Sequence, residues 1–151
     1  MSTIATARSA LGAGIDPRGP RFSASLTSVV LALVLVTPTP VAVLLLAFQT
    51  VVFAIGSVRG IQHTPYAWLF RTVIRPRLGA PRELEDPRPP RFAQAVGLGF
   101  AVVGLLGFAT GLTLLALVAT GFALAAALLN AVFGFCMGCE IYLLLQRATA
   151  R

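Results

Sequence analysis

Two long apolar stretches separated by a polar segment make up most of this chain. Residues 22–58 contain no charged side chain, and residues 92–142 contain only one, Glu140. A helix needs about 20 predominantly apolar residues to cross the hydrocarbon core of a bilayer, so each stretch has room for two spans. The first stretch is broken by a Thr-Pro-Thr-Pro run at 37–40, and the second is broken between 110 and 121. The pattern predicts four transmembrane helices.

The same short motif opens both stretches. Asp-Pro-Arg-Gly-Pro-Arg-Phe at 16–22 returns as Asp-Pro-Arg-Pro-Pro-Arg-Phe at 86–92 with one difference, which indicates two homologous halves. Each half holds two spans, so the second half enters the membrane from the same side as the first. We therefore expect two tandem parallel two-helix repeats, with span one opposite span three and span two opposite span four. The prolines disfavour helix, so an extended lead-in is expected before each pair of spans.

Between the halves lies a segment that mixes aromatic and basic residues. Tyr66, Trp68 and Phe70 stand within 64–77, where three arginines follow them. Aromatic rings anchor at membrane interfaces, so an interfacial amphipathic helix is predicted after span two. The expected domains are a flexible cytoplasmic tail at 1–15, the first two-span repeat with this helix at 16–77, a cytoplasmic linker and second repeat opening at 78–91, and the second two-span repeat at 92–147.

The composition agrees with an all-α integral membrane protein. The 151 residues are 57% hydrophobic and 11% charged, with a mean hydropathy of +0.87, whereas about a quarter of the residues of a soluble domain are charged. A water-soluble core is thereby excluded. Residues 22–37, preceded by arginines, also resemble the apolar core of a cleaved signal peptide, but the second copy of the same opening in mid-chain favours a retained span.

All twelve basic residues are arginines, and all lie on one side of the predicted membrane. They precede span one, separate spans two and three, or follow span four, and the two remaining turns carry none. Positive residues are retained in the cytoplasm, so we expect both termini and 78–91 to be cytoplasmic in a multi-pass protein of a bacterial inner membrane. Topology and contact with anionic lipids explain the net charge of +7, and no nucleic-acid partner is expected.

The segment Gly-Phe-Cys-Met-Gly-Cys-Glu at 134–140 is the one reactive cluster. Cys136 and Cys139 lie on one helix face or bracket a helix start, close enough for an intramolecular disulfide. Such a pair favours a thiolate, the reactive form of cysteine. Glu140 is the only acid beside a span, where acids are costly and tend to be functional. We expect Cys139 to be the attacking thiol and Cys136 to resolve the product. Glu140 is expected to modulate the pKa of both thiols and to exchange protons with them.

The spacing of polar residues predicts how deep this cluster lies. Gln49 precedes Arg59 by ten residues and Asn130 precedes Glu140 by ten, which places Glu140 at the cytoplasmic end of span four and the cysteines just inside it. The cytoplasm keeps thiols reduced, so reversible chemistry is favoured over a permanent disulfide. Two alternatives are thiols that only pack and a zinc site to which two chains each supply a pair. No metal site and no cofactor motif is complete within one chain.

Other polar residues near the predicted interface have a structural and a functional interpretation. Gln49 and Asn130 are expected to hydrogen-bond between helices or else to line a substrate path. His63 is either an ordinary interfacial histidine or a proton carrier for a thiol. The arginines of the openings extend to lipid headgroups or recruit an anion; they are Arg18, Arg21, Arg88 and Arg91. The glycines of span three favour packing within the bundle over a dimer face.

The run Gly-Phe-Cys-x-Gly-Cys-Glu-x-Tyr at 134–142, the Arg-Phe pair that opens each half, and Asn130 resemble a bacterial membrane-protein family known as domain of unknown function 4395. The resemblance covers 15–146, nearly the whole chain. It implies a soluble partner of the thioredoxin-like or rhodanese-type sulfurtransferase kind, because genes for such proteins lie beside those of the family. It implies no established activity.

These features predict a membrane-embedded thiol protein that exchanges electrons or sulfane sulfur with that soluble partner on the cytoplasmic side. One alternative is a small transporter or channel for a sulfur compound or an anion, which four short spans would form only as a homo-oligomer. Another is a non-catalytic membrane scaffold. A pore is marked by polar residues recurring along a helix, and within the spans only Gln49 and Asn130 qualify. No motif indicates a quinone.

Overall fold

The computed structural model describes residues 14–150, and the regular structure of this part of the chain is helical. Residues 1–13 of the predicted tail lie outside it. In chain order the elements are α1 Arg18–Val36, α2 Thr39–Val58, a 3₁₀ turn at Ile61–His63, α3 Pro65–Leu69, a π-helical turn at Phe70–Ile74, α4 Arg75–Leu78, α5 Arg88–Ala109, α6 Thr113–Phe133 and α7 Met137–Thr149. Helices α1, α2, α5 and α6 are long and apolar enough to cross a membrane. The prediction of an all-α protein with four spans is confirmed.

The two opening motifs are helical rather than extended. Helix α1 begins at Arg18 and α5 begins at Arg88, so the predicted lead-in is wrong from the third residue of each motif onward. The N–H groups of a first helical turn have no intrahelical partner, and prolines there cost no hydrogen bond. The preceding aspartates accept hydrogen bonds from the first helical N–H groups: Asp16 from Arg18 at 3.0 Å and Asp86 from Arg88 at 2.9 Å.

A reciprocal pair of backbone hydrogen bonds relates the two halves. Ile15 and Glu85, which directly precede the two motifs, form an isolated antiparallel bridge. Each N–H donates to the other residue's carbonyl, at 2.9 Å in both directions. Mutual pairing of matching residues is what a twofold relation produces, so the predicted repeat is visible in the contacts of the folded chain.

Two arginines at matching positions join the halves in the same reciprocal way. Arg21, in the first turns of α1, donates from Nε to the carbonyl of Ala131 at 3.0 Å, near the end of α6. Arg91, in the first turns of α5, donates from Nε to the carbonyl of Ser57 at 2.7 Å, near the end of α2. These contacts bring the starts of α1 and α5 and the ends of α2 and α6 to one end of the bundle. Helices α1 and α5 therefore run parallel, as a parallel repeat requires.

The four long helices pack so that α1 lies diagonally opposite α5. Helix α1 contacts α2 and α6, and α5 contacts the same two helices. Near the two turns that carry no charge the interior is filled with apolar side chains, including Leu31, Val34, Ala42 and Leu46. A Cβ added at Gly107 of α5 would lie 2.8 Å from the backbone nitrogen of Ala116. The small residues of α5 thus pack inside the bundle, as the sequence favoured.

A short helix follows each pair of spans, and one of the two was not predicted. The chain is helical from α3 through α4, at the position expected for the amphipathic helix. Thr64 caps it by accepting a hydrogen bond from the N–H of Ala67 at 3.2 Å. Helix α7 follows α6 in the same way, although residues up to 147 were expected to belong to the second pair of spans. Apolar composition continues through the junction, which hid the break at Gly134.

The two short helices dock on the bundle through matching aromatic pairs. The ring of Phe22 packs on that of Phe70, and the ring of Phe92 packs on that of Tyr142, with centroids 5.7 Å apart in both cases. Phe22 and Phe92 are the last residues of the two opening motifs. The segments that follow α2 and α6 therefore correspond, and the second of them contains both cysteines.

Candidate functional site

Cys136 and Cys139 bracket the start of α7. Gly134 takes the left-handed conformation (φ 67°, ψ 16°) that ends α6, and residues with a side chain rarely adopt it. Cys136 then stands at the N-cap position with an extended backbone (φ −91°, ψ 105°). Its sulfur accepts a hydrogen bond from the N–H of Cys139 at 3.3 Å. Of the two arrangements allowed by the sequence, the pair adopts the one at a helix start.

The two cysteines are joined by a disulfide. Their Cα atoms are 5.2 Å apart, within the range of about 4.4–6.8 Å that disulfides require. Both side chains are partly exposed rather than buried. The pair therefore has the distance that the sequence predicted from spacing, and the partial exposure of both side chains leaves them accessible.

The electrostatic surroundings favour a negative charge on the sulfur of Cys136. The first N–H groups of α7 lack intrahelical acceptors, and the positive end of the helix dipole lies at the N-cap. Thiolates are stabilised in such positions. The guanidinium of Arg21 is close by, since a Cβ added at Gly134 would lie 3.9 Å from its Nη1. When the disulfide is reduced, Cys136 is thus the better placed of the two sulfurs to remain ionised.

Glu140 does not occupy the depth that the sequence predicted. Helix α2 ends at Val58, directly before Arg59, but α6 ends at Phe133, well before Glu140. The predicted correspondence of Gln49 with Asn130 is therefore wrong, because the junction at 134–136 and the start of α7 lie between the end of α6 and Glu140. Glu140 is exposed in the first turn of α7, where a carboxylate complements the helix dipole. The cysteines likewise lie beyond the end of α6 rather than inside it.

A cavity of about 850 Å³ extends from the cysteine pair into the bundle. It lies between α1, α5, α6 and the start of α7, with Phe53 of α2 and Ile61 also in its wall, and both cysteines, Asn130 and Glu140 border its outer end. Its inner end reaches Phe100 and Phe122, whose ring centroids are 6.2 Å apart. Much of the wall between these ends is made of small residues. The sequence offered no sign of this cavity, since alanines and glycines in a span usually indicate close packing.

The four arginines of the openings have partners inside the protein. Arg18 pairs with Asp16 at 2.8 Å and Arg88 with Asp86 at 2.7 Å. These hydrogen bonds hold the pKa of both carboxyl groups below their ordinary value. Arg21 and Arg91 donate to helix-end carbonyls as described above. These contacts favour an anchoring role over recruitment of an anion, although Arg18 and Arg21 also border the cavity.

Gln49 belongs to a buried chain of hydrogen bonds in the first half. Its side chain is fully buried, and its Oε1 accepts from the hydroxyl of Tyr66 at 2.7 Å while its Nε2 donates to Thr27 Oγ1 at 3.3 Å. Burial raises the pKa of Tyr66 to about 12, so the phenol remains a donor. Hydrogen bonding between helices, the preferred interpretation of Gln49, agrees with these contacts. Tyr66 had been expected only to anchor at the interface.

The two remaining candidates, Asn130 and His63, lie apart from each other. Asn130 lies in the last turn of α6 and borders the cavity near the cysteines. His63 is exposed in the 3₁₀ turn and is not among the residues that line the cavity. Within residues 14–150, no group of three or more histidine, cysteine, aspartate or glutamate side chains is arranged to hold a metal ion.

The model of one protein family matches residues 15–147 of the chain. That match extends from the bridge residue Ile15 to the last turns of α7, and so includes both halves and the cysteine pair. The chain belongs to this family, domain of unknown function 4395. No curated protein and no solved structure matches the chain. Its role therefore has to be inferred from the site itself.

Proposed function

We propose that this protein is a thiol–disulfide exchange protein of the bacterial inner membrane, which passes electrons between its Cys136–Cys139 pair and a soluble thioredoxin-like protein. The position of the pair is the observation that supports the proposal most. The two cysteines are bonded to each other, partly exposed, and placed at a helix N-terminus that stabilises a thiolate.

The distribution of charge supports a cytoplasmic position for the pair. The end of the bundle that carries α7 also carries Arg21 and Arg91, and the arginine-rich segment 71–91 follows α2 at this end. The two turns at the other end, at 37–38 and 110–112, contain no charged residue. Since positive residues are retained on the cytoplasmic side, a cytosolic protein would have access to the disulfide.

The exchange conserves atoms and electrons in two steps. A thiolate of the reduced partner attacks the sulfur of Cys136, which breaks the disulfide, forms a mixed disulfide and leaves Cys139 as a thiolate. The partner's second thiolate then attacks its own sulfur in the mixed disulfide and releases Cys136. The partner is oxidised by two electrons, the pair is reduced by two, and the two protons of the partner's thiols pass to the pair.

The N-cap position favours Cys136 as the sulfur that forms the mixed disulfide. Its thiolate is stabilised when the partner releases it, and in the reverse direction the same thiolate attacks the partner's disulfide. This assignment reverses the roles expected from the sequence, in which Cys139 attacks and Cys136 resolves. Glu140, in the first turn of α7, is placed to exchange protons with the pair at the surface.

Electron exchange has more support than the other functions considered. A rhodanese-type partner delivering sulfane sulfur would also use Cys136, but a relay of that kind does not need a second sulfur within bonding distance. Transport of an anion has less support, because the arginines that would recruit the anion already bond to groups inside the protein. A scaffold gives no reason for a bonded cysteine pair beside a cavity.

Trapping of the mixed disulfide tests the proposal. Native membranes containing Cys139→Ser are incubated with a thioredoxin whose resolving cysteine is replaced by serine and whose remaining thiol is activated as a mixed disulfide with thionitrobenzoate, and a control uses Cys136→Ser. We expect Cys139→Ser to accumulate a disulfide-linked complex on a non-reducing gel, because Cys136 attacks the activated sulfur, thionitrobenzoate leaves, and neither protein retains a second thiol to resolve the product. The control should form little. A complex with Cys136→Ser alone would restore the original order of attack, and no complex with either variant would exclude thiol exchange.

A further inference from the structure

The cavity beside the disulfide has no role in exchange with a soluble partner. Exchange of that kind needs only the exposed sulfurs at the start of α7, whereas the cavity continues inward as far as Phe100 and Phe122 on α5 and α6. An interior is normally filled to close-packed density, and unfilled apolar volume destabilises a fold. Its volume of about 850 Å³ lies within the range of roughly 300–1,000 Å³ that is usual for small-molecule sites.

The first half shows how the same space is filled when no cavity is kept. The spacing from Thr64 to Phe70 equals that from Cys136 to Tyr142, so Tyr66 corresponds to Gly138. Tyr66 occupies the interior of its half, because it is buried and bonded within the bundle. At the corresponding place Gly138 has no side chain; it borders the cavity and packs directly against Ala93 of α5.

The helix behind this position shows the same contrast. The carbonyl groups that accept from Arg91 and Arg21 mark matching points near the ends of α2 and α6. Gln49 and Phe53 precede Ser57 by eight and four residues, and Ala123 and Ala127 precede Ala131 by the same numbers. Gln49 therefore corresponds to Ala123, and Phe53 corresponds to Ala127. Gln49 is fully buried and Phe53 is buried with its ring forming part of the cavity wall, whereas the corresponding alanines offer only methyl groups to that wall. The cavity is therefore bordered by small residues at three positions where the first half carries large ones.

The chemistry of the walls identifies the kind of molecule that would occupy this space. The polar side chains Arg21, Asn130 and Glu140 border the outer end, beside the sulfurs, and the uncharged Thr27 and Gln94 also belong to the wall. The inner end is apolar and aromatic, with Phe122 exposed on the outer surface of the bundle, which would face lipid in a membrane. An occupant needs a polar head at the disulfide and an apolar remainder that enters from the bilayer. Because a disulfide forms part of the wall, the head of a redox carrier would lie within reach of two exchangeable electrons.

We infer that this cavity is the binding site of a membrane-soluble quinone that reoxidises the reduced Cys136–Cys139 pair, an inference that rests on the proposed function. In the step itself the two S–H bonds are replaced by one S–S bond. The two electrons and two protons pass to the quinone, and its two carbonyl groups become the hydroxyl groups of a quinol. The amide of Asn130 and Nη1 of Arg21, whose Nε and Nη2 already donate to the carbonyl groups of α6, border the cavity and would donate hydrogen bonds to a quinone carbonyl. Electrons would then flow from the cytosolic partner through the pair into the membrane pool.

Reduction of decylubiquinone by the purified, prereduced protein in lipid nanodiscs tests this inference. Ala127→Phe gives the cavity the ring that the first half carries at the matching position, and Ala95→Phe is the control on an exposed face of α5 outside the cavity. We expect the wild type and Ala95→Phe to consume one quinone per protein. Ala127→Phe should react slower by about tenfold or more, because the quinone head is held away from the sulfurs.

A parallel assay separates this inference from the proposed function. Both alanine variants should still form the mixed disulfide with thioredoxin when Cys139→Ser is added to each, which also shows that they are folded. If the wild type exchanges thiols but does not reduce the quinone, or if Ala127→Phe reduces it at the control's rate, the quinone site is refuted while the proposed function stands. A cavity that holds only lipid acyl chains would give the first of these results.

Discussion

The two halves of this bundle share a frame but differ in what fills it. In the first half, Thr27, Gln49 and Tyr66 form a chain of buried hydrogen bonds that joins α1, α2 and α3. In the second half, the small residues Ala123 and Gly138 stand where Gln49 and Tyr66 stand in the first, and both border the cavity. The frame contacts are alike in both halves: an aspartate–arginine pair, an arginine on helix-end carbonyls, and an aromatic pair. We infer that one half mainly supports the fold and the other holds the site.

Breaking the buried chain of the first half should have the largest effect on stability. Gln49→Ala removes a fully buried side chain and leaves the Tyr66 and Thr27 hydroxyls without their partner, which should lower the free energy of unfolding by about 2–3 kcal/mol. Asn130→Ala, a control that truncates a second side-chain amide, in the last turn of α6, should cost less than about 1 kcal/mol. Unfolding in mixed micelles by denaturing detergent measures both. Equal losses would mean that the two halves are not specialised in this way.

Adding a side chain at Gly138, where α7 approaches α5 closely, should have the next largest effect, and it should act on the site. A Cβ added there would lie 2.5 Å from the Cβ of Ala93 and 2.6 Å from its Cα, so Gly138→Ala should displace the start of α7 from α5. We expect a loss of about 2 kcal/mol together with slower reaction of the cysteines with thioredoxin. Gly121→Ala is the control, because a Cβ there meets no neighbour within 4 Å. It should be neutral or slightly stabilising. An unchanged exchange rate in Gly138→Ala would show that α7 tolerates the shift.

Substitution of Arg21 or Arg91 should affect stability equally, because the two arginines make the same contact in both halves. Arg21→Gln and Arg91→Gln each remove hydrogen bonds to two carbonyl groups at a helix end. Since both guanidinium groups are exposed, each substitution should cost about 1 kcal/mol, measured by the same unfolding assay. A loss confined to one variant would contradict a frame shared by both halves.

Acid sensitivity should be the smallest effect and should differ between the two aspartates. Their pKa values are held below the ordinary value by Arg18 and Arg88. The stabilisation is therefore present above about pH 4 and is lost as the pH falls through the lower pKa of the folded state. The Asp16 side chain is 8% exposed and that of Asp86 is 43% exposed, so Asp16→Asn should remove more of the acid sensitivity. Thermal unfolding across the acid range should show a contribution below about 1 kcal/mol from either pair.

The architecture was readable from the sequence because it depends on features that act over many residues. Four apolar stretches of bilayer length and a repeated opening motif predicted the spans and their parallel arrangement. The failures lie at junctions. Apolar residues continue from α6 into α7, so the end of span four depends on the backbone conformation of one residue, Gly134, and no hydrophobic pattern marks it. The prolines of the openings were misjudged because their cost depends on whether they fall in the first turn or later.

The candidate site was predictable only in part. Cys136 and Cys139 were identified by their spacing, but their order of reactivity depends on which of them occupies the helix N-cap. The cavity was not predictable, because alanines such as Ala127 predict close packing unless the position that faces them is also small. Comparison of the two halves supplies that information, since each large residue of the first half shows what its small counterpart leaves empty.

The central claim is that Cys136 and Cys139 are a reversible redox pair, and a thiol titration in native membranes tests it most directly. Membranes are equilibrated with glutathione buffers of increasing oxidised fraction, free thiols are alkylated without detergent, and the labelled peptide is quantified by mass spectrometry. We predict that both cysteines change together from doubly alkylated to unlabelled in one two-electron transition. Thiols that resist alkylation in every buffer until detergent unfolds the protein would contradict the account and leave the pair as packing residues.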